Sequence, residues 1–159
     1  MIRPILLASL IAFASGCSHY HGPEGNDTAT VVFTSNNVAA QPMICVPGGG
    51  FQPTRYALSR NPFDSDAMSE LNETLRKSAE VPASLPAGEP VRLGIQFQEK
   101  RIKDAPAPFR CNAAVRFTPQ AGATYSAHFI RDGSQCGLGI SLADGTPAPD
   151  AVRIPWECR

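Results

Sequence analysis

From residue 91 to residue 142 the apolar side chains return at every second position, a period that buries one face of a strand and cannot bury one face of a helix. Val91, Leu93, Ile95 and Phe97 fall on one side, with Arg92, Gly94, Gln96 and Gln98 on the other. Cys111, Ala113, Val115 and Phe117 alternate in the same way with Arg110, Asn112, Ala114 and Arg116, and residues 118–122 (TPQAG) supply a turn. Tyr125, Ala127 and Phe129 form the next apolar set. Asp132-Gly133 signals a short hairpin, since glycine accepts the positive φ that such a turn needs, and Cys136, Leu138, Ile140 and Leu142 then alternate with Gln135, Gly137, Gly139 and Ser141. A last strand carries Val152, Ile154, Trp156 and Cys158, and shorter strands are expected at 30–35, 43–46 and 54–59.

One stretch departs from this period. Over residues 64–79, Met68, Leu71 and Leu75 recur at helical spacing among charged residues, which predicts a short amphipathic helix ended before Pro82. Many short strands separated by Gly and Pro, in a chain of 159 residues, predict an all-β fold: a single disulfide-stapled antiparallel β-sandwich over 29–159 with one short helix. In architecture this is similar to immunoglobulin-like or transthyretin-like sandwiches, a resemblance that carries no function with it.

The chain has five cysteines, an odd number, so in an oxidising compartment one of them needs a fate other than an internal disulfide. The N-terminus supplies it. Arg3, an apolar run over 5–14 and the small residues before Cys17 have the layout of a secretory signal peptide, too short to span a bilayer. Ala14-Ser15-Gly16-Cys17 resembles the lipobox of bacterial lipoproteins. The resemblance implies removal of residues 1–16, lipid on Cys17 and attachment to a membrane, and Ser18 in the next position implies the outer membrane, facing the periplasm. Simple cleavage after Ala14, by the Ala12-Phe13-Ala14 pattern, would leave Cys17 a free thiol. Residues 17–28 are polar, rich in turn formers and without periodicity, and read as a flexible tether.

Without Cys17 the remaining cysteines are Cys45, Cys111, Cys136 and Cys158, an even set that suits two disulfides. No pair shows the C-x₂₋₄-C spacing of a structural zinc site or of thiol redox chemistry. If residues 111–142 form a meander, Cys111 and Cys136 lie two strands apart, ~9.6 Å at ~4.8 Å per strand, which is beyond the reach of a disulfide. Cys136 and Cys158 sit on consecutive strands. The expected bridges are therefore Cys136–Cys158 and, by elimination, Cys45–Cys111.

The 14 basic and 14 acidic residues balance, and no basic run is present to neutralise phosphates, which excludes nucleic acid as a partner. Catalytic signals are absent. His128 lacks a G-x-S-x-G elbow, and a hydrolase built from Ser126, His128 and Asp144 is the alternative reading. The triple glycine at 48–50 lacks the Lys-Ser/Thr of a phosphate loop, Asp64 and Asp66 lack the spacing of a calcium loop, and His19 and His21 lack a third ligand. No catalytic residue, metal or cofactor is therefore assigned. Arg92, Arg110 and Arg116, outward on their strands, and Phe51 in its glycine loop form the candidate contact surface for an envelope protein or polymer. Together these readings describe a lipid-anchored, non-enzymatic binding module of the cell envelope.

Overall fold

The computed structural model describes residues 19–36, 39–59, 76–99 and 109–159. Eleven strands carry the fold: β1 (Thr28–Ser35), β2 (Gln41–Val46), β3 (Gly50–Pro53), β4 (Tyr56–Leu58), β5 (Arg76–Ser78), β6 (Val81–Pro86), β7 (Val91–Gln98), β8 (Arg110–Phe117), β9 (Thr124–Asp132), β10 (Gln135–Leu142) and β11 (Val152–Ile154). They form a four-stranded sheet, β10-β9-β1-β6, and a five-stranded sheet, β11-β8-β7-β2-β3, with β4 and β5 as a small parallel pair beside them. Pairing is antiparallel except for β4–β5 and for β1 against β9. The all-β sandwich expected from the two-residue period is what forms.

The period decides the inward faces. Val31 and Phe33 of β1, Tyr125, Ala127 and Phe129 of β9, and Leu138 and Ile140 of β10 are buried together with Leu93 and Ile95 of β7 and Val115 and Phe117 of β8. Aromatic contacts cross between the sheets, Phe117 edge-on to Tyr125 at 4.9 Å and Phe97 tilted to Phe129 at 6.1 Å. Arg131 also turns inward, where its guanidinium lies 4.9 Å from the Phe97 ring centre and 5.1 Å from that of Phe109 and pairs with Glu99. Its charge is thus placed between two aromatic faces and a carboxylate.

The helix expected over 64–79 lies outside the described residues except for its end, where Arg76–Ser78 is strand β5; the described residues contain no helix. That end is thereby corrected, and so are two further expectations. The final strand stops at Ile154, because Pro155 has no N–H to continue the ladder. The third correction is the meander. β8 belongs to the five-stranded sheet, and the loop after it wraps over to the four-stranded one, with Gly122 N–H donating to Thr28 O at 2.8 Å and Thr30 N–H to Ala123 O at 2.9 Å.

That crossover overturns both predicted bridges. The observed pairs are Cys45–Cys158, with Cα atoms 5.3 Å apart, and Cys111–Cys136, with Cα atoms 6.5 Å apart. A meander would separate Cys111 from Cys136 by keeping β8, β9 and β10 in one sheet, whereas β8 belongs to the other. In the sandwich, β10 lies against β8 across the interior, and the bridge ties the two sheets together. Cys158 leaves Cys136 behind because the chain turns at Pro155 toward β2.

Candidate functional site

The anticipated arginine surface proves to be divided. Arg92 and Arg116 face one another across β7 and β8, whereas Arg110 pairs with Gln98 at the other end, six residues or about 20 Å along the strand. Much of the outer face between them is already covered. From β11 the last residues run across β8 and β7 to Cys45, and this strap uses the very groups singled out in the sequence. The Trp156 ring stacks on Phe51, with centres 4.3 Å apart and planes at 24°. Arg92 Nη1 donates to Glu157 O at 2.9 Å. Gly94 lies directly beneath the indole, and a Cβ there would stand 2.6 and 2.8 Å from its ring atoms. Phe51 and Arg92 are therefore internal fastenings of the C-terminus, and Arg110 and Arg116 remain exposed.

His128 sits on the outward side of β9, half-buried, with Nδ1 2.7 Å from the Thr34 hydroxyl on β1. Ser126 is on the same face two residues away, and Gly139 is the partner of His128 on β10. Asp144 belongs to the turn after β10, where its carboxylate accepts from Thr146 N–H at 2.8 Å. That backbone bond, with the Thr146 side chain, holds the fully exposed Asp144 carboxyl below the usual range. The carboxylate of the alternative hydrolase reading is thus engaged in closing its own turn.

Within the stretch read as a tether, Tyr20 and Pro23 are docked on the sandwich. Tyr20 N–H donates to Pro53 O of β3 at 2.8 Å, the Tyr20 hydroxyl donates to Ser84 O of β6 at 2.8 Å, and the Ser84 hydroxyl donates to Pro23 O at 2.7 Å. Burial pushes the Tyr20 phenol upward. Gly22 fits because a Cβ there would meet Ser84 O at 2.6 Å. His19 and His21 stand with ring centres 4.3 Å apart, and no group of three or more metal-ligating side chains exists among the described residues. This segment closes the edge of the sandwich formed by β3 and β6.

The opposite edge is open. Between β10 and β11 runs a groove of about 480 Å³, lined on its apolar side by Val115, Leu138, Ile140, Ala148, Ala151 and Val152. Its volume falls within the range of ligand-binding clefts. Ile130 and Val152, half exposed at 50% and 45%, both border it, as do the polar Arg153, Asp132 and Gln135. Gly137 and Gly139 leave the outer side of β10 without side chains. Glycine inside a strand marks close approach by another backbone or a ligand, and these two are the signal that the sequence holds for this site. What stayed hidden was that β10 forms an edge. No protein-family model matches the chain, and neither a curated protein nor a solved structure does.

Proposed function

We propose that the protein is a lipid-anchored, non-enzymatic binding module of the bacterial envelope, held by acyl chains on Cys17 in the outer membrane and facing the periplasm. The observation that carries this reading is the opposition of two edges. Tyr20 is fastened at the β3/β6 edge and stands three positions from Cys17, at most about 11 Å of extended chain. The groove lies at the β10/β11 edge, three strand spacings from β6 and four from β3, roughly 14–19 Å farther out. An anchor on Cys17 would thus draw the closed edge toward the bilayer and turn the open one away from it. The disulfides support the same reading, because they engage all four cysteines of the domain and leave Cys17 as the odd one.

Acyl chains contribute about 0.8 kcal/mol of membrane affinity per buried methylene, so more than one chain makes attachment stable. Cys17→Ser should abolish incorporation of labelled fatty acid and move the chain out of the membrane fraction; undiminished attachment would overturn the anchor. Binding is tested by crosslinking the native chain in intact cells. Recovery of no partner from the correctly anchored protein would refute it.

A further inference from the structure

The groove has the features of an unfinished sheet. Leu142 N–H donates to Thr146 O at 2.8 Å, and Ala148 N–H donates to Ile140 O at 3.0 Å, so residues 146–148 already pair with one end of β10 on the side away from β9. The chain then leaves at Pro149. By the alternation of an antiparallel ladder, Leu138 and Cys136 turn their N–H and C=O groups to the same side, and no backbone group among the described residues meets them. Such a row of unpaired groups is a template for another strand.

The surroundings specify what fits. From Cys136 to Gly139, short of the already paired Ile140, the open track measures about 14 Å at ~3.4 Å per residue, room for a segment of roughly four residues. Apolar side chains of an added strand would meet Val115, Ala148 and Ala151 within the groove, and Ile130 and Val152 would be covered at its rim. Arg153 reaches across from β11, with Nη2 3.0 Å from where a Gly137 Cβ would stand, and it has no carboxylate partner among the described residues. Asp132 lies at the hairpin end, so a partner's acid belongs beside Gly137 and not beyond Gln135.

We propose that this groove takes an extended polypeptide segment of an envelope protein, which adds as a strand to β10 and sets an Asp or Glu against Arg153. The proposal rests on the binding-module reading and names its partner class and mode. Backbone pairing supplies affinity and the alternate side chains supply selectivity.

The test places a photoreactive benzophenone amino acid at Ile130 or Val152 in the full chain, in intact cells, with Thr30, exposed on the outer face of β1, as control. The expected result is an adduct from both groove positions and none from Thr30, mapping to one partner segment that alternates apolar residues and carries an acid. Arg153→Glu, on an exposed side chain, should lower its yield about tenfold. Arg153→Lys, which keeps the charge, should retain most of it. The captured segment, as a synthetic peptide, should slow exchange of the Leu138 and Cys136 amides by about tenfold or more. Adducts to glycan or lipid, an undiminished or larger yield after Arg153→Glu, or unchanged exchange at those amides would each overturn the proposal. Capture from Thr30 but not from the groove overturns the groove alone. No partner adduct from any exposed position overturns the binding-module reading itself.

Discussion

Gly94→Ala tests the packing of the C-terminal strap with the smallest change available. The new Cβ would stand 2.6 and 2.8 Å from Trp156 ring atoms, where ordinary carbon contacts begin near 3.5–4.0 Å, so the indole must retreat by about 1 Å. It has little freedom to do so. The strap is held by Pro155 behind β11 on one side and by the Cys45–Cys158 bridge on the other, and lifting the ring also separates it from Phe51. Overpacking costs about 1–3 kcal/mol, and a lost aromatic pair about 0.5–1.5 kcal/mol. Replacing a strand glycine by alanine returns roughly 0.5–1 kcal/mol. The net expectation is a destabilisation of about 1–3 kcal/mol, seen as a fall in Tm of roughly 3–10 °C for a domain of this size.

Calorimetry reads the stability. Trp156 is the only tryptophan, so a red shift of its emission reads the ring's displacement directly. Gly139→Ala is the control, because a Cβ there meets nothing within 4 Å, and it should be neutral or slightly stabilising. In a Trp156→Leu background the Gly94→Ala penalty should shrink, as expected for residues in contact. Unchanged emission and Tm in Gly94→Ala, or equal losses in Gly94→Ala and Gly139→Ala, would refute the packing argument.

The remaining predictions concern the bridges, the docked N-terminus and the half-buried Arg131. Mass-spectrometric mapping should recover Cys45–Cys158 and Cys111–Cys136 peptides; by chain entropy the bridge spanning 113 residues is worth ~5 kcal/mol and the one spanning 25 ~3.5 kcal/mol, so removing the first should lower Tm more. The Tyr20 phenol should titrate above its ordinary value of 10.0. Because its folded pKa is raised, docking is complete below that value and weakens as pH rises through it toward the folded one, visible as increasing proteolytic cleavage after Tyr20. Tyr20→Phe should lose the bond to Ser84 and remove this alkaline step. Arg131→Met keeps the stem between Phe97 and Phe109 but loses the charge, and should cost about 1–2 kcal/mol in denaturant unfolding, with Glu99→Gln recovering part of it.

The alternation at 91–97, 111–117 and 136–142 marks the buried faces of β7, β8 and β10, and Asp132-Gly133 places the β9–β10 hairpin, with Gly133 at a φ of +55° and Asp132 opposite Gln135. These signals are local. Phe51, Gly94 and Arg92 are also visible in the sequence, but nothing local says that the first two lie against Trp156 or that Arg92 holds Glu157 O.

The sequence by itself determined the all-β class, the inward faces of β7, β8, β9 and β10, the hairpin, and the parity that separates Cys17 from the other four cysteines. Burial with period two, and the positive φ of a tight turn, act within a few residues and leave their mark there. Only the tertiary structure decided the division of β8 and β9 between two sheets, and with it the disulfide pairing, the strap over Gly94, the docking of Tyr20 and the open edge of β10. Those depend on which sheet a strand joins, a choice made by the summed burial of all the strands and recorded in no single one.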